Sequence, residues 1–209
     1  MANRPAWTVK NNLVVSENFD FAWNGGFSII QKHKNIKALH QSIYELKHEK
    51  ALEVSSKSDV PTGKAIGAFS LKLDGIPLEN VFQASKKYEK GGPYTDLLNV
   101  LPKDAKRDER HHNSGSLVSF VKDGVIWPLE PQTAFYDYLY VSTLIKNFGH
   151  NFDLTEYLWF TDIEFNPKKS INCQARATAI YKVLQEKELF ESLKSMESWI
   201  CFHKKYVNG

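Results

Sequence analysis

The stretch Pro77-Leu-Glu79-Asn-Val-Phe-Gln83-Ala-Ser-Lys86-Lys-Tyr-Glu-Lys90-Gly-Gly-Pro93 decides how the chain is read. A proline just ahead of a helix-forming run, and Gly-Gly-Pro behind it, predict a helix over residues 79–90. At 3.6 residues per turn, the step from Glu79 to Lys86 is almost two turns. The Glu79 carboxylate, Gln83 amide and Lys86 amine then share one face. A carboxylate beside a lysine that can be kept neutral supplies an acid/base and a nucleophile, the two parts needed to open an amine-linked sugar. The same spacing also suits a solvent-exposed pair bridged by an amide, and spacing alone does not separate the readings.

Upstream, the partial alternation of Trp7, Val9, Leu13, Val15, Phe19 and Phe21 predicts short strands broken at Asn11-Asn12 and ended by Asn24-Gly25-Gly26. Ile36, Leu39, His40, Ile43, Tyr44 and Leu46 lie at helical spacing and predict an apolar face that packs on that sheet. Residues 52–54 read as a strand entering the polar turn Ser55-Ser56-Lys57-Ser58. Residues 65–73 alternate as another strand, with the turn at Asp74-Gly75. Downstream, residues 104–110 carry dense charge of both signs, the mark of a solvated helical face, although Lys103, Lys106, Arg107 and Arg110 also suit a phosphate backbone. Asp123-Gly124 turns a hairpin within residues 120–129. Pro131 opens an aromatic-rich helix over 132–146, dense enough in apolar residues to be central. A polar loop from Phe160 leads into a helix capped near Ser170. Helix-forming residues then run from 175 to about 203 with a break near Lys187.

With 42% hydrophobic and 24% charged residues in 209, the composition is that of a globular domain, read as one unit over 1–209 with flexible N-terminal residues and a basic, frayed C-terminal tail. A net charge of +3 permits a nucleic-acid partner without demanding one. Cys173 and Cys201 are too few for a disulfide scaffold and wrongly spaced for zinc, and His111-His112 lacks a third ligand, so free thiols and no metal are expected. The first residues lack a secretory pattern and no apolar run can span a bilayer, so a cytoplasmic protein is expected. No Gly-x-Gly-x-x-Gly follows a strand and strand-helix-strand repeats are missing, which excludes a Rossmann or macrodomain plan.

Taken together, Glu79-x-x-x-Gln83-x-x-Lys86, Gly91-Gly92-Pro-Tyr94-Thr-Asp96, Trp127-Pro-Leu-Glu-Pro131, Phe135-Tyr-Asp-Tyr-Leu-Tyr140 and Asp162-Ile-Glu-Phe-Asn166-Pro-Lys168-Lys169-Ser170-Ile-Asn172-Cys-Gln-Ala-Arg176 resemble the NADAR family, in the branch encoded beside DarT toxins. The Glu-Gln-Lys block matches the wider family; the Gly-Gly-Pro-Tyr-Thr-Asp and Phe-Asn-Pro-Lys-Lys-Ser blocks resemble the toxin-associated branch alone. The resemblance implies a compact α+β domain, mainly helical with a small sheet. It implies an antitoxin N-glycosidase that needs no cofactor and removes ADP-ribose from guanine in DNA, with the DarT toxin as functional partner. It places Glu79 and Lys86 in the active site.

Chemistry extends that to further candidates. Ser56, Lys57 and Ser58 in one loop and Lys168, Lys169 and Ser170 in another, the latter at a helix N-terminus, supply donors for a diphosphate. Gln83 and Gly92 join the substrate site. Tyr94 or Trp127 suits base stacking, Trp127 equally suits the core, and Asp162, Asn166 and Asn172 suit ribose hydroxyls or the guanine edge. A nearby cation, Lys57 or Lys87, is expected to lower the Lys86 pKa. In the direct alternative to a lysine imine, Glu79 or Asp162 activates water. Two other functions fit less of the pattern: an idle module that binds ADP-ribose or the toxin, and a glycosidase of an aminopyrimidine ribose phosphate from riboflavin synthesis.

Overall fold

The computed structural model describes residues 1–207. In chain order it contains β1 (Ala2–Lys10), β2 (Leu13–Phe21), α1 (Ile29–Lys47), β3 (Ala51–Glu53), α2 (Pro61–Ala65), β4 (Lys72–Leu73), β5 (Ile76–Pro77), α3 (Leu78–Ala84), β6 (Lys86–Tyr88), α4 (Pro102–Arg107), α5 (Arg110–Asn113), β7 (Leu117–Lys122), β8 (Val125–Trp127), α6 (Ala134–Phe148), β9 (Trp159–Thr161), α7 (Gln174–Glu186) and α8 (Met196–Tyr206), with short 3₁₀ turns at Thr95–Asn99 and Phe190–Lys194. This is an α+β fold, mainly helical, with small sheets.

The main sheet runs β2-β1-β9-β3, with β3 and β9 parallel and the other pairs antiparallel. Asn11 and Asn12, at φ 51° and 66°, make the tight left-handed turn that an antiparallel hairpin favours, and they set the Ala2↔Phe21 to Lys10↔Leu13 register. The N-terminal residues expected to be flexible are therefore strand. Ala6 and Trp7 point to opposite faces. One face packs with Phe19, Phe21 and Trp159 against Ile36, Leu39 and Ile43 of α1; the other packs against the α6–α7 layer. Ser28 caps α1 by accepting from the Gln31 N–H at 3.3 Å. Its apolar face is narrower than expected, because Tyr44 and Leu46 are exposed.

Two expectations fail for the same reason: a tertiary partner overrides a local pattern. The 79–90 helix ends at Ala84. Ser85 donates its hydroxyl back to the Val81 carbonyl at 2.7 Å and accepts the Val121 N–H at 2.7 Å, and Lys86-Lys87-Tyr88 becomes an edge strand of the β6-β7-β8 sheet, with Lys86 opposite Phe120. Gly91 and Gly92 thus belong to a strand turn, with Tyr88 N–H on the Gly91 carbonyl at 2.8 Å. The 65–73 strand shrinks to Lys72–Leu73. Pro61 starts a short helix, and the chain then folds back with Ile66 and Leu71 buried, held by a 2.6 Å bond from the Tyr140 hydroxyl to the Ile66 carbonyl. Gly63 lies so close to β3 that a Cβ there would meet the Glu53 carbonyl at 2.0 Å.

Helix α7 begins at Gln174 behind Cys173, with no side-chain cap, so Ser170 is not its cap. Every residue from Gln174 to Leu184 is buried, consistent with a helix covered on all sides. The chain expected to fray instead docks: Phe202 and His203 are buried and Val207 bridges to Val14, while residues 208–209 of that tail lie outside the described residues.

Buried Asp137 ties the three long C-terminal helices. It accepts from Arg176 Nη2 (3.0 Å), His203 Nε2 (3.0 Å) and the Thr133 hydroxyl (2.9 Å). Burial alone would raise its pKa, but the Arg176 charge and the His203 bond outweigh it and hold the carboxyl below its ordinary range. Its contribution is therefore present above the unfolded carboxylate pKa of about 4 and is lost as pH falls through the lower folded value. Asp137→Ala, which strands a buried guanidinium, is expected to cost about 3–5 kcal/mol at neutral pH in urea titrations, and the difference from wild type should shrink in acid.

Candidate active site

A cleft of about 470 Å³ opens between α3, β6, α4, the start of α6 and the loop 162–173. Helix α3 supplies Glu79 and Gln83 on adjacent turns, and Gln83 Nε2 donates to Glu79 Oε1 at 2.8 Å. Both side chains are buried, and Gln83 Oε1 has no donor among the described residues. Lys86 reaches the same cleft from the strand rather than from the helix. The turn at Ser85 replaces the second helical turn, so the two residues meet for a different reason than their spacing suggested.

The Lys86 amine lies 5.2 Å from the centroid of the Phe82 ring and makes no ion pair or hydrogen bond among the described residues. Its pKa is lowered, first by burial and further by the Lys106 charge, while Glu79 pulls the other way. The neighbouring cation is therefore Lys106 of α4, not Lys57 or Lys87; Lys87 Nζ instead donates to the Gly92 carbonyl at 2.7 Å. Tyr136 also lines the cleft, and burial together with the Glu79 charge raises its phenol far enough that it keeps its proton and remains a donor.

The opposite wall is held by carboxyls whose acceptors are already used. Asp162 accepts the Glu164 and Phe165 N–H groups at 3.0 and 3.2 Å and Gln174 Nε2 at 2.9 Å, while Gln174 Oε1 accepts the Ala68 N–H at 2.6 Å. This net clamps the loop to α7 and to the turn carrying Phe69. Behind it, fully buried Glu53 accepts from Ser55 Oγ (2.6 Å), Thr161 Oγ1 (2.7 Å) and Ile163 N–H (2.9 Å). Burial raises both carboxyls, and Glu53 further raises Asp162. The Thr161 hydroxyl donates to Glu53, so His40 Nε2, 2.8 Å away, must donate to Thr161; burial lowers that imidazole to about 4, keeping it neutral.

Of the residues singled out in sequence, Glu79, Gln83, Lys86, Asp162, Asn166, Lys169, Ser170 and Asn172 line the cleft. The others do not. Ser58 is buried and exchanges hydrogen bonds with the Val60 backbone at 3.2 Å, and Ser56 and Lys57, in the same turn, do not line the cleft. Trp127 is core, packed on Tyr138 and Phe135 at 4.5 and 5.4 Å between centroids. Tyr94 bonds Ser114 and lies under the Arg110 guanidinium at 4.3 Å. Lys168 is exposed and does not line the cleft, unlike its neighbour Lys169. Gly92 stands behind the site: at φ 74°, a Cβ there would meet the Lys86 carbonyl at 2.3 Å. The unforeseen lining residues include Phe69, Phe82, Lys106, Tyr136, Glu164, Phe165 and Gln174. Lys106 carried a signal, since its charged run was also read as a phosphate contact; the aromatics were indistinguishable from core.

A small α+β domain whose cleft pairs a fixed carboxylate with an unengaged, desolvated lysine is the class that fold and site define. The model of the family described as DarT1-associated NADAR antitoxin matches residues 2–208, and the chain belongs to that family. Its role is thus that of an antitoxin, in a family associated with DarT1 toxins. No curated protein matches the chain. No described helix is long and apolar enough to cross a membrane.

With acetic anhydride at limiting concentration near pH 8, Lys86 is expected to acetylate faster than exposed Lys168, as read by peptide mass spectrometry. The advantage should disappear as pH rises above the ordinary lysine pKa of about 10.4. Equal labelling at both pH values would show that burial does not free the amine.

Proposed function

We propose that the chain is an N-glycosidase that removes ADP-ribose from the exocyclic amine of guanine in DNA, undoing the modification made by its DarT1 counterpart. The observation that carries the reading is the Lys86 amine, which has no hydrogen bond or ion pair among the described residues and is lodged over Phe82 in the same cleft as Glu79.

In that substrate the ribose C1′ is bonded to guanine N2. The N2 lone pair opens the C1′–O4′ bond as Glu79 in its acid form delivers a proton to O4′, and a protonated imine forms; Tyr136, whose phenol keeps its proton, can hydrogen-bond to the opening oxygen but does not protonate it. Neutral Lys86 adds to C1′. A proton passes from the lysine nitrogen to N2 through Glu79, the C1′–N2 bond breaks, guanine leaves, and C1′ remains joined to Lys86 as an imine. Water then adds to C1′ while Glu79 takes its proton; Glu79 returns a proton to the lysine nitrogen, which departs as a neutral amine while the C1′ hydroxyl becomes a carbonyl and gives its own proton to Glu79, and the O4′ hydroxyl adds to C1′ to reclose the sugar. Gln83 holds one oxygen of Glu79, which leaves the other for these transfers. Lys106 and Lys169 are the countercharges for the diphosphate, in place of the Ser56–Ser58 turn, and Asn166, Ser170 and Asn172 are donors beside them. Asp162 serves by holding the wall, because its acceptors are occupied by the loop and Gln174.

The test is release of ADP-ribose from guanine-modified DNA. Lys86→Ala is expected to lower the rate at least about 10³-fold and Glu79→Gln about 10²–10⁴-fold. Borohydride added during turnover should fix the ADP-ribosyl group on Lys86. Normal turnover without an adduct would replace the imine by direct attack of a Glu79-activated water, and release unaffected by either substitution would remove the proposed site.

A further inference from the structure

Half-buried His111 of α5 takes no part in the proposed chemistry, yet both of its ring nitrogens are engaged. Nε2 lies 2.9 Å from the Ala105 carbonyl and Nδ1 lies 2.9 Å from the Tyr88 hydroxyl. A carbonyl only accepts, so Nε2 carries the proton and the bare Nδ1 accepts from Tyr88. Ala105 is in the last turn of α4, where no backbone N–H among the described residues bonds its carbonyl, and His111 supplies the missing donor. Tyr88 stands two residues beyond Lys86 on β6, and Ala105 immediately precedes Lys106. One imidazole thus joins the strand that carries one amine of the cleft to the helix that carries another. Two further contacts hold this end of α4. Ala105 packs on Ala84 and Leu97, and Arg110 forks between Asp96 and Asp108 at a surface where solvent weakens the ion pairs.

We propose that His111 is a positioning residue: through its bonds to Tyr88 and Ala105 it holds α4 so that the Lys106 ammonium stays at the cleft occupied by the Lys86 amine. Lys106 is exposed and α4 has only six residues, too few for the helix to persist without tertiary support. Fixing its backbone is what keeps the charge in place. The charged and titratable groups that line the cleft with Lys86 are Glu79, Lys106 and Tyr136 and, from the facing loop, Asp162, Glu164 and Lys169. Burial and the Lys106 charge favour the neutral Lys86 amine, and Glu79 opposes them. His111 itself is faced by Tyr88, Tyr94, Asp108, His112 and Lys86. Burial, with the Lys86 charge behind it, lowers the imidazole pKa, so at pH 8 His111 is a neutral strut and not a third charge. Loss of the strut frees Lys106 and lets Lys86 rise toward its ordinary value. This inference concerns two amines of the protein and needs no substrate; only its consequence for turnover rests on the N-glycosidase reading.

The readout is acetylation of Lys86 by limiting acetic anhydride near pH 8, followed by peptide mass spectrometry. His111→Leu fills the site without the bonds and should slow Lys86 labelling about threefold, the effect of raising its pKa by roughly half a pH unit. Lys106→Gln should slow it as much, and His111→Leu should add nothing in the Lys106→Gln background. His111→Gln, whose amide nitrogen can donate to Ala105 while its oxygen accepts from Tyr88, should label like wild type. Tyr88→Phe removes one hydroxyl in place and should slow labelling by a smaller factor, so it decides the matter if His111→Leu does not fold. Lys86 labelling unmoved by these substitutions, or slowed further by His111→Leu when Lys106 is already gone, would overturn the proposal. With ADP-ribosylated guanine in DNA as substrate, His111→Leu should also move the acid limb of the kcat/KM profile upward by the same half unit. Labelling that responds as described in a protein with no turnover would sink the glycosidase reading and leave the bridge standing; normal turnover with labelling and acid limb both unmoved would do the reverse.

Discussion

The site depends on one strand pairing. Where Ser85 accepts the Val121 N–H and Lys86 lines up with Phe120, the backbone leaves the helix and joins the β7–β8 sheet. Had α3 run on, Lys86 would sit one turn further along a helix, its amine free to reach water. The strand instead fixes its main chain against Gly92 on one side and β7 on the other, and brings the amine over Phe82. A long flexible side chain loses entropy when held in this way, on the order of 2 kcal/mol for a lysine, and the sheet and the absent Cβ at Gly92 make that ordering possible.

The facing wall is built by opposite means. Glu79 keeps one oxygen available, whereas Asp162 and Glu53 are surrounded by donors on both oxygens. Two carboxyls in one buried region repel when ionised, and each hydrogen bond into them offsets part of that cost. The result is a loop, 162–173, whose shape follows from a polar net continuous with His40, Thr161 and the start of α7. Asp162 and Glu79 look alike in a residue list; their hydrogen bonds separate them, since Asp162 is engaged on both oxygens and Glu79 on one.

That distinction marks how far the sequence could be read. Alternation, the Asn11-Asn12 and Asp123-Gly124 turns and the aromatic run of α6 are local signals, and the elements they predict are present within a few residues. Glu79, Gln83 and Lys86 were legible as a set because of their residue types. Their geometry was not, because the event that ends α3 is a pairing with residues more than thirty positions away. The same non-local cause hid the fold-back after α2. Lys57 and Lys106 are both lysines in polar stretches, and which one faces Lys86 is settled by helix α4 packing on α3, which no local pattern encodes. Trp127 and Tyr94 illustrate the converse: an aromatic in a motif is more often a packing element, and here one ring is buried on Phe135 and the other engaged by Arg110 and Ser114.

The charges around Lys86 carry the proposed chemistry one step further. In the free protein its amine feels Phe82 and burial, the repulsion of Lys106 and the attraction of Glu79. A diphosphate seated on Lys106 would neutralise the repulsion and add negative charge of its own, so substrate binding would make protonation of Lys86 easier than it is in the empty cleft. A nucleophile must be neutral when it attacks and must yield or receive a proton as the carbon–nitrogen bonds exchange. An amine poised low in the empty site and drawn upward by its own substrate therefore sits closer to balance at the moment of reaction than one fixed at either extreme. Glu79 is tethered by Gln83 and makes no direct ion pair with Lys86 among the described residues; in the proposed chemistry it lets the balance be crossed without trapping the lysine as a permanent cation.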